Sequence, residues 1–144
     1  MAHTRRDQRH LAIDSNVLVA YLDRDHPQHD KVRALALKGI ALNPTVIHET
    51  SHALVFKLKW RREEAGRVLR EILADPEVLF LNQTRETTRV GLILAEQYHL
   101  GGRDALILAN FLHPAISDMV SFDKQMVDLG KVGRGRMELN IRTP

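Results

Sequence analysis

The chain contains no cysteine. Disulfide bridges and thiol nucleophiles are thereby excluded, and a reducing, cytoplasmic setting is expected. Long apolar runs are missing as well. The longest, Ala105 to Leu112, is interrupted by Asn110 and falls short of the roughly 18 residues of a membrane span. The basic start, M-A-H-T-R-R-D-Q-R-H, leads into no secretory apolar core before Asp14. Aromatic residues make up only 5% of the chain, which argues against a platform for stacked bases. Internal repeats, low-complexity segments and linkers are not evident.

What remains is ordinary globular composition in 144 residues, enough for one domain with a sizeable core. A basic arm over residues 1–10, expected to be flexible, precedes a single domain over 11–144. The net charge is +3. Basic residues gather at Arg5, Arg6 and Arg9, at Lys57, Lys59, Arg61 and Arg62, and at Arg134 and Arg136. Such clusters are either solvated surface or sites of phosphate contact without sequence preference.

Apolar patterning alternates between strands and helices. Leu11 to Ile13 reads as a buried strand running into the capping residues Asp14-Ser15-Asn16 and a helix from Val17 to Leu22. A helix starting near Pro27 stops at Gly39, and Ile40 to Leu42 forms a second strand. Asn43-Pro44 opens a helix to about Lys59. Ala65, Val68, Leu69, Ile72 and Leu73 keep helical spacing until Asp75-Pro76. Val78 to Leu81 is a third strand. Thr84 caps a helix that Gly101-Gly102 stop, and Asp104 starts one that is apolar nearly all round. Asp118 to Phe122 supplies a fourth strand and Met137 to Ile141 a possible fifth. This order predicts an α/β fold: a three-layer sandwich with a central, mostly parallel sheet of four to five strands flanked by helices.

Four acids stand where that fold can gather them at one rim: Asp14, Glu49, Asp104 and Asp123. Three interrupt or border apolar runs, where a carboxylate is costly unless something neutralises it. Gathered carboxylates also repel one another. Hard oxygen ligands in such a group suit magnesium or manganese, and that chemistry points to phosphodiester cleavage. Each acid also has a plainer reading. Asp14 and Asp104 fit helix N-caps, Asp123 a turn residue and Glu49 a solvated helix position. Glu49 shares a helix face with Ala53 and Phe56.

A second motif competes. His48-Glu49-Thr50-Ser51-His52 is a literal H-E-x-x-H, which on a helix can bind zinc with Glu49 as general base of a peptidase. A third ligand is required, and only His99 and His113 offer themselves, outside any recognisable ligand motif. His26 and His29, in a loop-to-helix segment, read as surface residues. A basic RNA-binding module without catalysis is a further alternative, but it leaves the acids unexplained.

Taken in order, the strand ending I-D-S-N-V-L-V-A-Y-L, the helix start P-T-V-I-H-E, D-A-L-I-L-A and V-S-F-D-K resemble the PIN-domain nucleases. Among these the chain is most similar to the VapC-type toxins of prokaryotic toxin–antitoxin pairs, from about Leu11 to Ile141. The resemblance implies a metal-dependent endoribonuclease whose catalytic, metal-holding acids are Asp14, Glu49, Asp104 and Asp123, with one or two Mg2+ or Mn2+ ions. It matches Asn16 and Ser121 to positions that support the acids, and Arg103 beside them is a candidate RNA contact. It further implies an RNA substrate, a small antitoxin partner and a homodimer. A PIN-type nuclease of RNA processing is the neighbouring alternative, since the basic arm is longer than such toxins usually carry. Asp118 competes for the fourth position, but the hydroxyl-x-Asp context favours Asp123.

Overall fold

The computed structural model describes residues 10–36 and 39–144. Arg5, Arg6 and Arg9 of the expected arm lie outside the described residues. His10, counted in that arm from the sequence, already belongs to the first strand.

The elements run β1 (His10–Ile13), α1 (Ser15–Leu22), α2 (His29–Ala36), β2 (Ile40–Leu42), α3 (Pro44–His52), α4 (Arg62–Ala74), β3 (Leu79–Phe80), α5 (Arg85–Tyr98), α6 (Gly102–Phe111), β4 (Ile116–Val120), α7 (Lys124–Leu129), β5 (Lys131–Arg134) and β6 (Met137–Arg142). The sheet order is β3-β2-β1-β4-β6-β5, parallel throughout except for the β5–β6 hairpin. The mostly parallel sheet between helices is as expected, but it has six strands rather than four to five. Lys131–Arg134 escapes notice because K-V-G-R offers one apolar residue, Val132, to the core and reads as a basic loop. Gly135, at φ +61°, turns this strand back onto β6.

Central strands carry runs such as Leu11-Ala12-Ile13 and Ile40-Ala41-Leu42 without polar alternation, as a sheet covered on both faces requires. Leu18, Leu42, Leu54, Leu94, Ile107, Leu108, Phe111 and Met119 are fully buried between the layers. From β1 the chain winds outward to β2 and β3, then crosses to the far side of β1 to form β4. Strand order therefore reverses between β1 and β4, and ligands of open parallel sheets bind beyond the carboxyl ends at such a point.

Several local boundaries differ from expectation. Helix α5 ends with His99 in the left-handed conformation at φ 56°, so Gly101 is free to become the N-cap of α6 instead of a stop signal. The fourth strand begins at Ile116, two residues early, which puts Asp118 inside it facing Arg142 at 3.8 Å. The helix opened by Pro44 passes into one π turn, Ala53–Lys57, before ending. His29 is buried rather than on the surface, and its Nδ1–H donates to the Ala20 carbonyl at 2.8 Å. His26 is also no free surface residue, because its ring stacks on Phe122 with centroids 5.9 Å apart.

Helices α5 and α6 meet closely at Gly91, where an added Cβ would stand 3.2 Å from the Leu106 Cα. Only glycine lets the two backbones approach to that distance without displacement. The contact fixes α6, whose first turn carries Arg103 and Asp104.

Candidate active site

Asp14 follows β1 directly and is the N-cap of α1. Its amide donates to the Val120 carbonyl at 3.1 Å, so the ends of β1 and β4 stay in register here. One carboxylate oxygen, Oδ1, accepts from the Ser15 amide at 2.8 Å, and Oδ2 accepts from Ser121 Oγ at 2.6 Å. The side chain is 4% exposed. Burial pushes its pKa up to about 6, against the pull of the Ser121 and Ser15 hydrogen bonds, and Asp104 and Glu49 add to the rise.

Ser121 joins three elements. It is fully buried at the end of β4, where its hydroxyl donates to Asp14 and accepts from the Asp123 amide at 3.0 Å and from Asn16 Nδ2 at 3.4 Å. One donor and two acceptor positions are thus all used. Asn16 Oδ1 in turn accepts from the Phe122 amide at 3.0 Å, holding the β4–α7 turn against α1. Asp123 is the N-cap of α7 and accepts from the Gln125 amide at 2.9 Å. The N-cap reading therefore holds for Asp14, while Asp123, read from the sequence as a turn residue, caps a helix as well. A cap uses part of a carboxylate's acceptor capacity and leaves the rest for a ligand.

Asp104 is not a cap, since Gly101 takes that position and Asp104 lies in the first turn of α6. Its pKa is raised by burial first, then by Asp123 and Glu49, with Arg103 acting in the opposite direction. Glu49, on α3, accepts from Ser15 Oγ at 3.0 Å and faces the Arg103 guanidinium at 3.7 Å. That arginine is 82% exposed, so the pair adds little stability.

Asp14, Glu49, Asp104 and Asp123 line one cavity of about 500 Å³. Asn16 shares that wall, while Ser121 is buried beneath it. Ser15, His26, His52, Lys57 and Arg103 complete the polar lining. Among the described residues, no three His, Asp or Glu side chains stand close enough to hold a metal ion together. The acids converge as a wall, with Asp14 and Asp104 both raised by burial and by their acidic neighbours. Arg103 opposes that repulsion at Asp104. A set of oxygen donors with excess negative charge fits a hard divalent cation.

His48 is exposed on α3 and does not line this cavity. His113 Nδ1 is engaged by the Ala115 amide at 3.0 Å, and His99 sits exposed at the end of α5. The H-E-x-x-H residues thus gather no third ligand among the described residues. Sequence reasoning missed His26 as a lining residue, since nothing in a loop's composition tells which way it folds. It also gave no role to Ser15, beyond capping, or to Lys57, beyond surface charge. Lys57 reaches the cavity two helical turns beyond Glu49, at the end of the π turn.

No curated protein matches the chain by sequence. Among solved structures, it is similar to VapC20 of Mycobacterium tuberculosis, described as a toxin that cleaves the sarcin-ricin loop. The TM-score is 0.69 at 16% identity, over 85% of this chain and 96% of that one. It is also similar to a chain of VapBC2 from Rickettsia felis, bound to a DNA fragment from its promoter. There the TM-score is 0.56 at 17% identity, over 78% of this chain and 86% of the other. At these identities the likeness is one of fold. The PIN domain family model matches residues 11–132, which include all four acids, and the chain belongs to the PIN domain family.

Proposed function

We propose that the protein is a magnesium- or manganese-dependent endoribonuclease and the toxin of a toxin–antitoxin pair. The observation that carries the nuclease reading is the placement of Asp14, Glu49, Asp104 and Asp123 on one cavity at the reversal of strand order. Asp14, Asp104 and Asp123 would hold one or two ions, with Glu49 as a further ligand. A divalent ion bound there supplies Lewis acidity toward water and offsets charge on the phosphate. Ser121 and Asn16 fix the orientation of Asp14 and of the turn that carries Asp123. Arg103 and Lys57 supply positive charge at the mouth, suited to phosphates of an RNA backbone.

The toxin role is supported by the fold shared with VapC20, whose description names it a toxin. A small antitoxin, a homodimer and a cytoplasmic setting complete the proposal. Such an enzyme active on its own cell's RNA must be restrained. Expression alone should slow growth, and co-expression with the small protein of the adjacent gene should restore it, with the two purifying together. Harmless expression of protein that cuts RNA in vitro would remove the toxin role and leave the nuclease.

The nuclease itself is tested against the zinc reading. RNA cleavage should require Mg2+ or Mn2+ and stop on chelation. His48→Ala should leave cleavage largely intact, while Glu49→Gln should lower it by about tenfold or more. Stoichiometric zinc in the purified protein, lost in His48→Ala, would overturn the assignment.

A further inference from the structure

His26 belongs to no part of the carboxylate chemistry, yet it lines the same cavity. Three contacts hold the residue, two of them at its ring. Its amide donates to the Asp23 carbonyl at 3.1 Å, and its Nδ1 accepts from the Gln28 amide at 3.0 Å. The ring lies 22° from parallel with Phe122, the residue between Ser121 and Asp123. An Nδ1 that accepts puts the hydrogen of the neutral imidazole on Nε2. The cavity therefore carries, beside its acids, a neutral donor on a ring held in place before any ligand arrives.

We infer that His26 is a substrate-contacting residue whose Nε2–H donates to a non-bridging phosphate oxygen of the RNA strand in this cavity. The inference rests on the nuclease reading and deepens it. Lys57 and Arg103 attract a polyanion from any direction, and Arg103 is largely exposed. A neutral donor on a fixed ring instead sets where one phosphate lies relative to the acids. The stack on Phe122 ties that position to the β4–α7 turn carrying Asp123.

Two substitutions separate the donor from the turn. In His26→Asn the side-chain oxygen can accept from the Gln28 amide, as in an Asx turn, but no group replaces Nε2–H. In His26→Gln an N–H extends to about the reach of Nε2, while the bond to the Gln28 amide is lost. Both are made in the Asp14→Asn background, which should hold RNA without cutting it. Binding of a labelled single-stranded RNA in magnesium is read by fluorescence polarisation. His26→Asn should keep the parent's melting temperature and bind about tenfold weaker. His26→Gln should melt lower yet bind within about threefold of the parent. In the otherwise wild-type chain, His26→Asn should raise KM more than it lowers kcat. Parent-like binding by His26→Asn, or loss of binding that tracks melting temperature in both variants, would overturn the role. Failure of both the Asp14→Asn parent and the wild-type chain to bind RNA would instead overturn the nuclease reading, and the inference with it.

Discussion

Asp14→Asn should abolish RNA cleavage while making the metal-free protein more stable at neutral pH. The two effects share one cause. Asp14 is buried beside Asp104 and Glu49, and its folded-state pKa of about 6 lies well above its ordinary value of 3.8. The folded chain thus holds this proton more tightly than the unfolded chain does. The stability from the protonated form is fully present below about pH 4 and is lost as pH rises through about 6. That displacement corresponds to about 3 kcal/mol at most. Asparagine keeps one oxygen for the Ser15 amide, turns its side-chain NH2 toward Ser121 Oγ in place of the second oxygen, and carries no charge. In EDTA at pH 7.5 the variant should melt about 5 °C higher, and the gain should vanish near pH 4. Cleavage should fall by about a thousandfold or more, because the charge that burial makes costly is the charge a cation needs. Thermal melts across pH, with RNA cleavage by the same preparations, measure both. Wild-type activity in a folded variant would remove Asp14 from the site.

Ser121→Ala should do the opposite to stability and the same to activity. The hydroxyl is fully buried and makes three hydrogen bonds. Its loss leaves the Asp123 amide without its acceptor and Asp14 Oδ2 without its donor. Each stranded group costs about 1–3 kcal/mol, so the variant should lose roughly 2–6 kcal/mol in all. Without the Ser121 bond, which now opposes burial at Asp14, the carboxylate pKa should rise further. Cleavage should drop by about tenfold to a hundredfold, since both acids lose orientation. A Ser121→Ala, Asp14→Asn cycle should be non-additive, because the alanine strands less once the charge is gone. An unchanged melting temperature in Ser121→Ala would show that the hydroxyl does not hold this junction.

Much of this junction is legible in the sequence because its signals are local. A short apolar run followed by Asp14-Ser15-Asn16 states a strand end and a helix cap within six residues, and the structure keeps both. Asn43-Pro44 works alike, with Asn43 Oδ1 accepting from the Val46 amide at 2.9 Å. What stayed hidden depends on partners distant in the chain. Strand β5 exists through pairing with β6, not through its own composition. His26 becomes a cavity residue only because Phe122, 96 positions later, lies under its ring. Gly101 looked like a stop, but His99 had already taken the left-handed position, a choice that residue type does not announce. One by one the four acids read as caps, a turn residue and a helix position. That they could share one rim follows from the alternation of strands and helices, whereas the strand order that brings them onto one cavity is not encoded in periodicity.

Whether those acids act together on a divalent ion is tested most directly by calorimetric titration of manganese into chelator-treated protein, with melting temperature read on the same samples. Wild type should show saturable binding and a melting temperature that rises with manganese, because a ligand favouring the folded state stabilises it by mass action. Asp14→Asn and Asp104→Asn should each weaken the binding and blunt the rise. No heat and no shift at millimolar manganese, or binding that survives both substitutions unchanged, would contradict the account.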